Sequence, residues 1–174
     1  MPYFYAAGKR VTLTVESSLW ALDTEALAVA LIAESIRKRI LANARHLRGK
    51  YVLAHVPSSA LEPLRAARAV QPVYRSADAV LVALPEVRVE ESRPETLQRL
   101  WAWIELRRER IEVSEAEAGR LTLRPASGDG VEALAIANAL QEEITPQLAE
   151  ARFIRSIESP DVQLKARIRP HRPS

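Results

Sequence analysis

Three histidines, no cysteine and a scatter of carboxylates limit the chemistry that this chain of 174 residues can do. Without a thiol there is no disulfide scaffold, no thiolate metal site, no redox Cys-x-x-Cys pair and no cysteine nucleophile. His46, His55 and His171 stand too far apart in sequence to suggest a chelating pair. Ser/His/Asp catalysis needs a nucleophile on a strained turn with a base in hydrogen-bond reach. No Gly-x-Ser-x-Gly is present. His55, between Ala54 and Val56, reads as a half-buried strand residue, and His46, among cations, as a partner for a helix C-terminus.

The carboxylates Glu86, Glu90 and Glu91 could form an acid–base couple, but their alternation along one strand reads as a solvated face. Gly128-Asp129-Gly130 lacks both a P-loop lysine and the third glycine of a dinucleotide fingerprint, so it reads as a helix-entry turn. Trp101 and Trp103 cannot share a helix face, which puts one in the core and the other at a seam or an interface. No enzymatic activity, no metal and no cofactor is expected from these residues.

The elements that would position them follow from pattern. Tyr3-Phe4-Tyr5 and Val11 to Val15 flank a Gly-containing turn and predict two strands, and Ser18 to Leu22 a third. Asp23-Thr24 predicts the cap of one long helix to about Arg48, acids opening it, cations closing it and Gly49 ending it. A strand over Lys50–Val56 follows. Ser58 or Ser59 then caps a helix to Ala69, and extended segments cover Val70–Arg75 and Val80–Leu84.

The pattern then recurs. Glu86 to Glu91 alternates as a strand, and Ser92 caps a helix over about Pro94–Leu106. Arg110–Val113 and Arg120–Arg124 form a hairpin around a loop at Ser114–Gly119. Asp129 caps a helix from Val131 to about Glu142, and Leu148–Ile157 is a last strand. The predicted fold class is α+β: a ferredoxin-like β-α-β-β-α-β unit preceded by a degenerate, similar unit. The predicted organisation is residues 1–84, residues 85–158, and an extended basic tail over 159–174.

The charge distribution has the same three parts. Residues 1–84 carry a net +5, residues 85–158 a net −5 and residues 159–174 a net +3. A nucleic-acid binder needs clustered cations without interleaved acids, and the two central strands offer Val87, Val89, Leu121 and Leu123 where base-stacking aromatics would stand. No nucleic-acid partner is expected. No apolar run approaches the ~20 residues of a membrane span, and the N-terminus lacks the basic-then-apolar order of a secretory signal. The expected compartment is the cytoplasm, with no membrane partner.

From residue 70 onward the sequence resembles the N-terminal prodomains of bacterial subtilisin-like serine proteases of the fervidolysin type. The resemblance rests on Val70-Gln71-Pro72-Val73-Tyr74-Arg75, the turn after it, Leu81-Val82-Ala83-Leu84 and Glu86-Val87-Arg88-Val89. The opening from Tyr3 to Thr14 is similar to the aromatic-glycine-basic start of the same proteins. Ala151 and Arg152 stand where the family commonly has Pro-Asn. The Asp, His and Ser segments of a catalytic domain do not appear in the chain. The resemblance therefore implies a stand-alone inhibitor, and folding chaperone, of a separate subtilisin-like serine protease. In such complexes the sheet packs on two parallel helices of the protease and a C-terminal extension lies in the substrate cleft.

The tail suits that role, because an extended peptide can add as a strand to the cleft edges. Val162, Leu164, Ala166 and Ile168 alternate there with Gln163, Lys165 and Arg167. Glu115 and Glu117, expected in the hairpin loop, are the candidates for capping the N-termini of the protease helices. The rival reading is a non-catalytic interaction or regulatory module built from tandem ferredoxin-like units.

Overall fold

Twelve consecutive residues, Ala79 to Glu90, alternate between two faces, and that strand organises the molecule. The computed structural model describes residues 1–157. In chain order the elements begin with β1 (Tyr3–Ala6), β2 (Lys9–Thr12), β3 (Thr14–Asp23), α1 (Thr24–Val29), α2 (Glu34–Ala42), β4 (Arg45–His46) and β5 (Tyr51–Ala54). Then come α3 (Ser58–Ala66), β6 (Val70–Ser76), β7 (Ala79–Glu90), α4 (Pro94–Glu105), β8 (Ile111–Glu117), β9 (Arg120–Pro125), α5 (Gly130–Glu143) and β10 (Leu148–Ile157). The fold is α+β, as expected. Eight strands form one sheet, its ladders antiparallel, in the order β4-β5-β3-β6-β7-β9-β8, with β10 also paired to β7.

β7 is shared. One of its edges takes β6 along Ala79–Val82 and then β9 along Val87–Glu90, while β10 runs along the other edge from Ala79 to Glu90. The expected boundary after residue 84 thus falls inside a continuous strand. On either side of it the strand order repeats. In β3 to β6 the first strand lies between the third and the fourth, with the second outside the third, and the same holds for β7 to β10. The first half is a fuller copy than its sequence indicates, because the two-residue strand β4 supplies the missing partner.

Residues Ala79, Leu81, Ala83, Val87 and Val89 of β7 face α4 and α5 in the main core, with Leu100, Trp103, Leu121, Leu123 and Leu140. Leu100, Leu123 and Leu140 are fully buried; each contributes about 2 kcal/mol. A second cluster joins Leu22, Val52 and Val70 to Leu27, Ile40, Ala60 and Leu64 of the first-half helices. A third, Ala21, Leu53, Val73, Val80 and Val82, lies on the opposite sheet face and contains no helical residue. The β1–β2 hairpin forms a separate two-stranded sheet against α5, held by Tyr3 Oη donating to Glu142 Oε1 at 2.7 Å and by Asn138 Nδ2 donating to the Tyr3 carbonyl at 2.8 Å. Glu142 raises the Tyr3 hydroxyl above its ordinary pKa through this bond.

Several local expectations are corrected. The single helix from Asp23 to Arg48 is two helices separated by a break at Ala30–Ala33, where Ala30 and Ala33 are extended. A straight helix of that length would run ~37 Å. The break instead lets Leu27, Ala30 and Ile40 reach one core. Arg37 satisfies the carbonyls freed there, donating to Leu27 at 3.2 Å and to Ala30 at 2.9 Å. Asp23 does cap α1, accepting from the Glu25 and Ala26 amides. Asp129 caps α5 by accepting from Val131.

Neither Ser58, Ser59 nor Ser92 caps a helix: Pro57 and Arg93 hold the N-cap positions, and Ser92 bonds Gln147 instead. His46 lies in β4, not at a helix end, and exposed His55 follows β5 with its Nδ1 2.7 Å from the Ser18 carbonyl. Trp103 is the core tryptophan, its Nε1 donating to Glu143 at 2.7 Å, and Trp101 is exposed.

One buried amide ties the halves together. Gln71 on β6 donates from Nε2 to the Gly128 carbonyl at 3.0 Å and accepts at Oε1 from the Gly130 amide at 2.8 Å. A Cβ on Gly130 would lie 2.1 Å from the Ala83 carbonyl oxygen, so only glycine lets α5 start this close to β7. Gln71→Leu leaves a buried donor and acceptor unpaired and is expected to cost about 2–4 kcal/mol by urea unfolding. A loss below about 1 kcal/mol would show that the amide is not the tie.

Glu91 is the other buried polar group of consequence. It is no part of a wet face: it turns inward at 1% exposure. There it accepts two bonds from the Arg93 guanidinium, at 2.9 and 2.7 Å, and others from the Arg93 and Gln147 amides. The Arg93 guanidinium holds its carboxyl from the ordinary 4.5 down to about 2. Because the folded-state value is depressed, the stabilisation is complete above the ordinary range and is lost as pH falls toward 2. Glu91→Gln is expected to cost about 2 kcal/mol at neutral pH and to flatten the acid limb of the stability–pH curve below pH 4.5. An unchanged acid limb would count against this assignment.

Candidate functional site

On the helix-free face of the second half, polar side chains converge around a concave surface. Period-two alternation puts Glu86, Arg88 and Glu90 of β7 on this face, opposite the core residues Val87 and Val89. β9 contributes Arg120, Thr122 and Arg124, and β10 contributes Glu150 and Arg152. Together with Glu117 they line a shallow concavity of about 1140 Å³. Leu121 and Leu123 of β9 and Ala149 and Ala151 of β10 alternate with them into the core.

The register arranges these charges in opposed rows. Arg88 lies across from Thr122 on one side and Glu150 on the other, and Glu90 across from Arg120. Glu86 accepts from Arg152 at 2.7 Å and lies 3.5 Å from Arg124, so one carboxylate serves two guanidiniums. Arg88 reaches along its own strand to Glu90 at 2.6 Å. That bond holds the Glu90 carboxyl below its ordinary pKa and raises the Arg88 guanidinium in return. The lining holds four carboxylates and four guanidiniums, so the face is neutral in sum. It is not neutral in relief. The side chains of Arg88, Arg124 and Arg152 are 54–67% exposed, those of Glu86 and Glu90 only 20–32%. The Arg88, Arg124 and Arg152 guanidiniums stand outward over the recessed Glu86 and Glu90, whereas Glu117 and Glu150 are exposed.

A two-residue irregularity makes room for Arg152. Between the pairs Phe153–Ala83 and Ala151–Val87, β7 carries Leu84, Pro85 and Glu86 against the single residue Arg152. The β-bulge bends the strand and directs a side chain, a device common beside interaction sites.

The two capping candidates are placed differently from expectation. Glu115 and Glu117 are not in a hairpin loop: both belong to β8, paired with Thr122 and Arg120 of β9. The loop shrinks to Ala118-Gly119, both at positive φ, as a two-residue hairpin turn requires. A Cβ on Gly119 would meet the Glu91 carbonyl oxygen at 2.2 Å, so the turn closes tightly against the start of α4. Residues 115–117 are thereby freed to pair. Glu117 is exposed at the rim of the charged face. The tail candidates Val162, Gln163, Leu164, Lys165, Ala166, Arg167 and Ile168 lie outside the described residues.

Sequence reasoning read Glu86 and Glu90 as a solvated face but missed the arginines that complete it. The signal was present as matched alternation: Arg120-Leu121-Thr122-Leu123-Arg124 has the polar phase that Glu86-Val87-Arg88-Val89-Glu90 complements once the two strands pair. Among the described residues no three metal-ligating side chains converge.

The arginine of each pair is more than half exposed, so solvent screens the pairs and they contribute little to folding. Glu86→Gln is expected to change unfolding stability by less than about 1 kcal/mol, although it breaks contact with two arginines. A larger loss would reassign the face to structure. No family model, no curated protein and no solved structure matches this chain.

Proposed function

We propose that the chain acts as a prodomain-like inhibitor of a subtilisin-like serine protease, docking through the helix-free charged face of its second half. The observation that carries the reading is the face itself. It belongs to a β-α-β-β-α-β element run whose helices α4 and α5 both cover the other side, leaving three adjacent strands open to a partner. The resemblance from Val70 to Val89 supplies the partner's class, and its last residues, from Glu86 on, belong to the stretch of β7 that runs through the face.

Outward guanidiniums fit carbonyl and carboxylate acceptors on the partner, and Glu117 at the rim remains the candidate for capping an exposed helix N-terminus. Residues 162–168 are the segment proposed for the substrate cleft, where main-chain bonds supply affinity and alternate side chains fill pockets. Folding assistance to the same protease belongs to the proposal as its second activity.

A second reading is favoured by the repeated strand order. Two halves of like topology in one sheet suit a tandem interaction module whose partner is no protease.

The test is inhibition. The full chain is expected to inhibit peptide hydrolysis by one or more of a panel of subtilisin-like proteases, with a stoichiometric end point. Removal of residues 159–174 is expected to raise the inhibition constant strongly, and Arg88→Glu with Arg152→Glu to raise it more than about tenfold while the melting temperature holds. Glu117→Gln should weaken binding by about 1 kcal/mol if it caps a helix. Failure to inhibit any subtilase, with capture of an unrelated protein that the double charge reversal abolishes, would establish the second reading in its place.

A further inference from the structure

We infer that the outer end of the first half, at the α1–α2 corner and β4, is a docking surface for an anionic lipid bilayer. From residue 35 to residue 61 the chain contains no Asp or Glu, and it carries Arg37, Lys38, Arg39, Arg45, Arg48 and Lys50. Two of these cations are engaged: Arg37 pairs with Glu34, and Lys50 with Asp23 and Glu25. Lys38, Arg39, Arg45 and Arg48 are exposed and make no ion pair with a described residue. They lie on α2, on the edge strand β4 into which α2 leads, and in the turn to β5.

The same corner holds large aliphatic side chains in water. Val29 is 77% exposed, Leu31 92% and Leu41 43%. Leu41 stands three residues from Lys38 on α2, hence beside it. The corner that carries Val29 and Leu31 is fixed, because Arg37 of α2 holds the Leu27 and Ala30 carbonyls on either side of Val29. A cation cluster recruits an anionic surface, and adjacent aliphatic side chains add apolar burial at the headgroup boundary. A nucleic-acid surface would use the cations but has little use for exposed valine and leucine, and residues 24–50 hold no Phe, Tyr or Trp to stack on bases, the imidazole of His46 being their one ring. The proposal sets aside the expectation that membranes play no part, and it is independent of the protease reading.

Sedimentation of the full chain with vesicles is the experiment. Binding is expected to vesicles of phosphatidylcholine with phosphatidylserine, not to phosphatidylcholine alone, and to fall as salt rises. Lys38→Glu with Arg39→Glu and Arg45→Glu should lower the partition coefficient more than about tenfold. Leu31→Ser, which leaves the charge unchanged, should lower it severalfold. Circular dichroism melting reports whether each variant is folded, and Gln replacements at the three cations serve if the reversals are not. Absence of binding to the anionic vesicles overturns the proposal. So does binding to duplex DNA or polyglutamate as tight as to the vesicles, lost in the charge variants and indifferent to Leu31→Ser, since that is the behaviour of a general polyelectrolyte surface.

Discussion

Pairing along β7 is the constraint from which the other arrangements follow. A strand of 12 residues spans about 40 Å, twice the usual length, and can hold two neighbours in succession on one edge. β6 and β9 take those two places, and β10 follows the opposite edge from end to end, interrupted only at the bulge over Leu84–Glu86. Register on such a strand is not free, since a one-residue slip would drive Glu86, Arg88 and Glu90 into the core and Val87 and Val89 into water. The apolar phase of β7 therefore fixes where α4 and α5 lie and which side is left open. Gln71 and Gly130 then set the separation, because α5 can begin against Ala83 only where there is no Cβ and where its first amide finds the Gln71 oxygen.

The open side is polar for a reason that goes beyond solvation. A wet sheet face needs polar residues, and threonine or lysine would serve. Here Glu86 is recessed beneath Arg124 and Arg152, which lean over from two different strands to reach it, and Arg88 holds Glu90 along their own strand. Arg rather than Lys matters in that position: its planar fork can keep one N–H on the recessed carboxylate and present others outward. A partner meeting such a face encounters donors that are already ordered, and it pays less side-chain entropy on docking. Long-range electrostatic steering is weak because the face is neutral in sum, so complementarity acts at contact distance and favours selectivity over speed.

Much of this was legible in the sequence because it rests on period and caps. The alternation of Glu86 to Glu90, the two hairpin strands on either side of Ser114–Gly119, and the caps at Asp23 and Asp129 all depend on neighbours in the chain, and each was readable there. What escaped reading depends on distant residues. The break in the first helix relies on Arg37 reaching back to Leu27 and Ala30, and no local signal such as Pro or Gly marks Ala30–Ala33. Glu91 looks like one more charge after Glu90, and it is buried only because Arg93 and Gln147 converge on it in three dimensions. β4 is two residues long and has no propensity pattern of its own; it exists because β5 offers it an edge. The arginine side of the charged face needed the β7–β9 register before its alternation had meaning.

The two halves share a strand order but differ on the helix-free side, and the change falls within one strand. Along the even residues of β7, Val80, Val82 and Leu84 continue the apolar cluster with Ala21, Leu53 and Val73, and then Glu86, Arg88 and Glu90 begin the charged one. Leu84-Pro85-Glu86 is also where the strand bulges opposite Arg152. Pro85 has no amide to give, so a neighbouring strand gains little from pairing there, and that is the point at which β6 has ended and β9 has not yet begun. A single proline thus coincides with the change of neighbour and the change of surface chemistry. If topology alone set the chemistry of such a sheet, both helix-free faces would be alike; since one is a buried apolar cluster and the other a charged surface, that chemistry resides in the side chains each half mounts on the common frame.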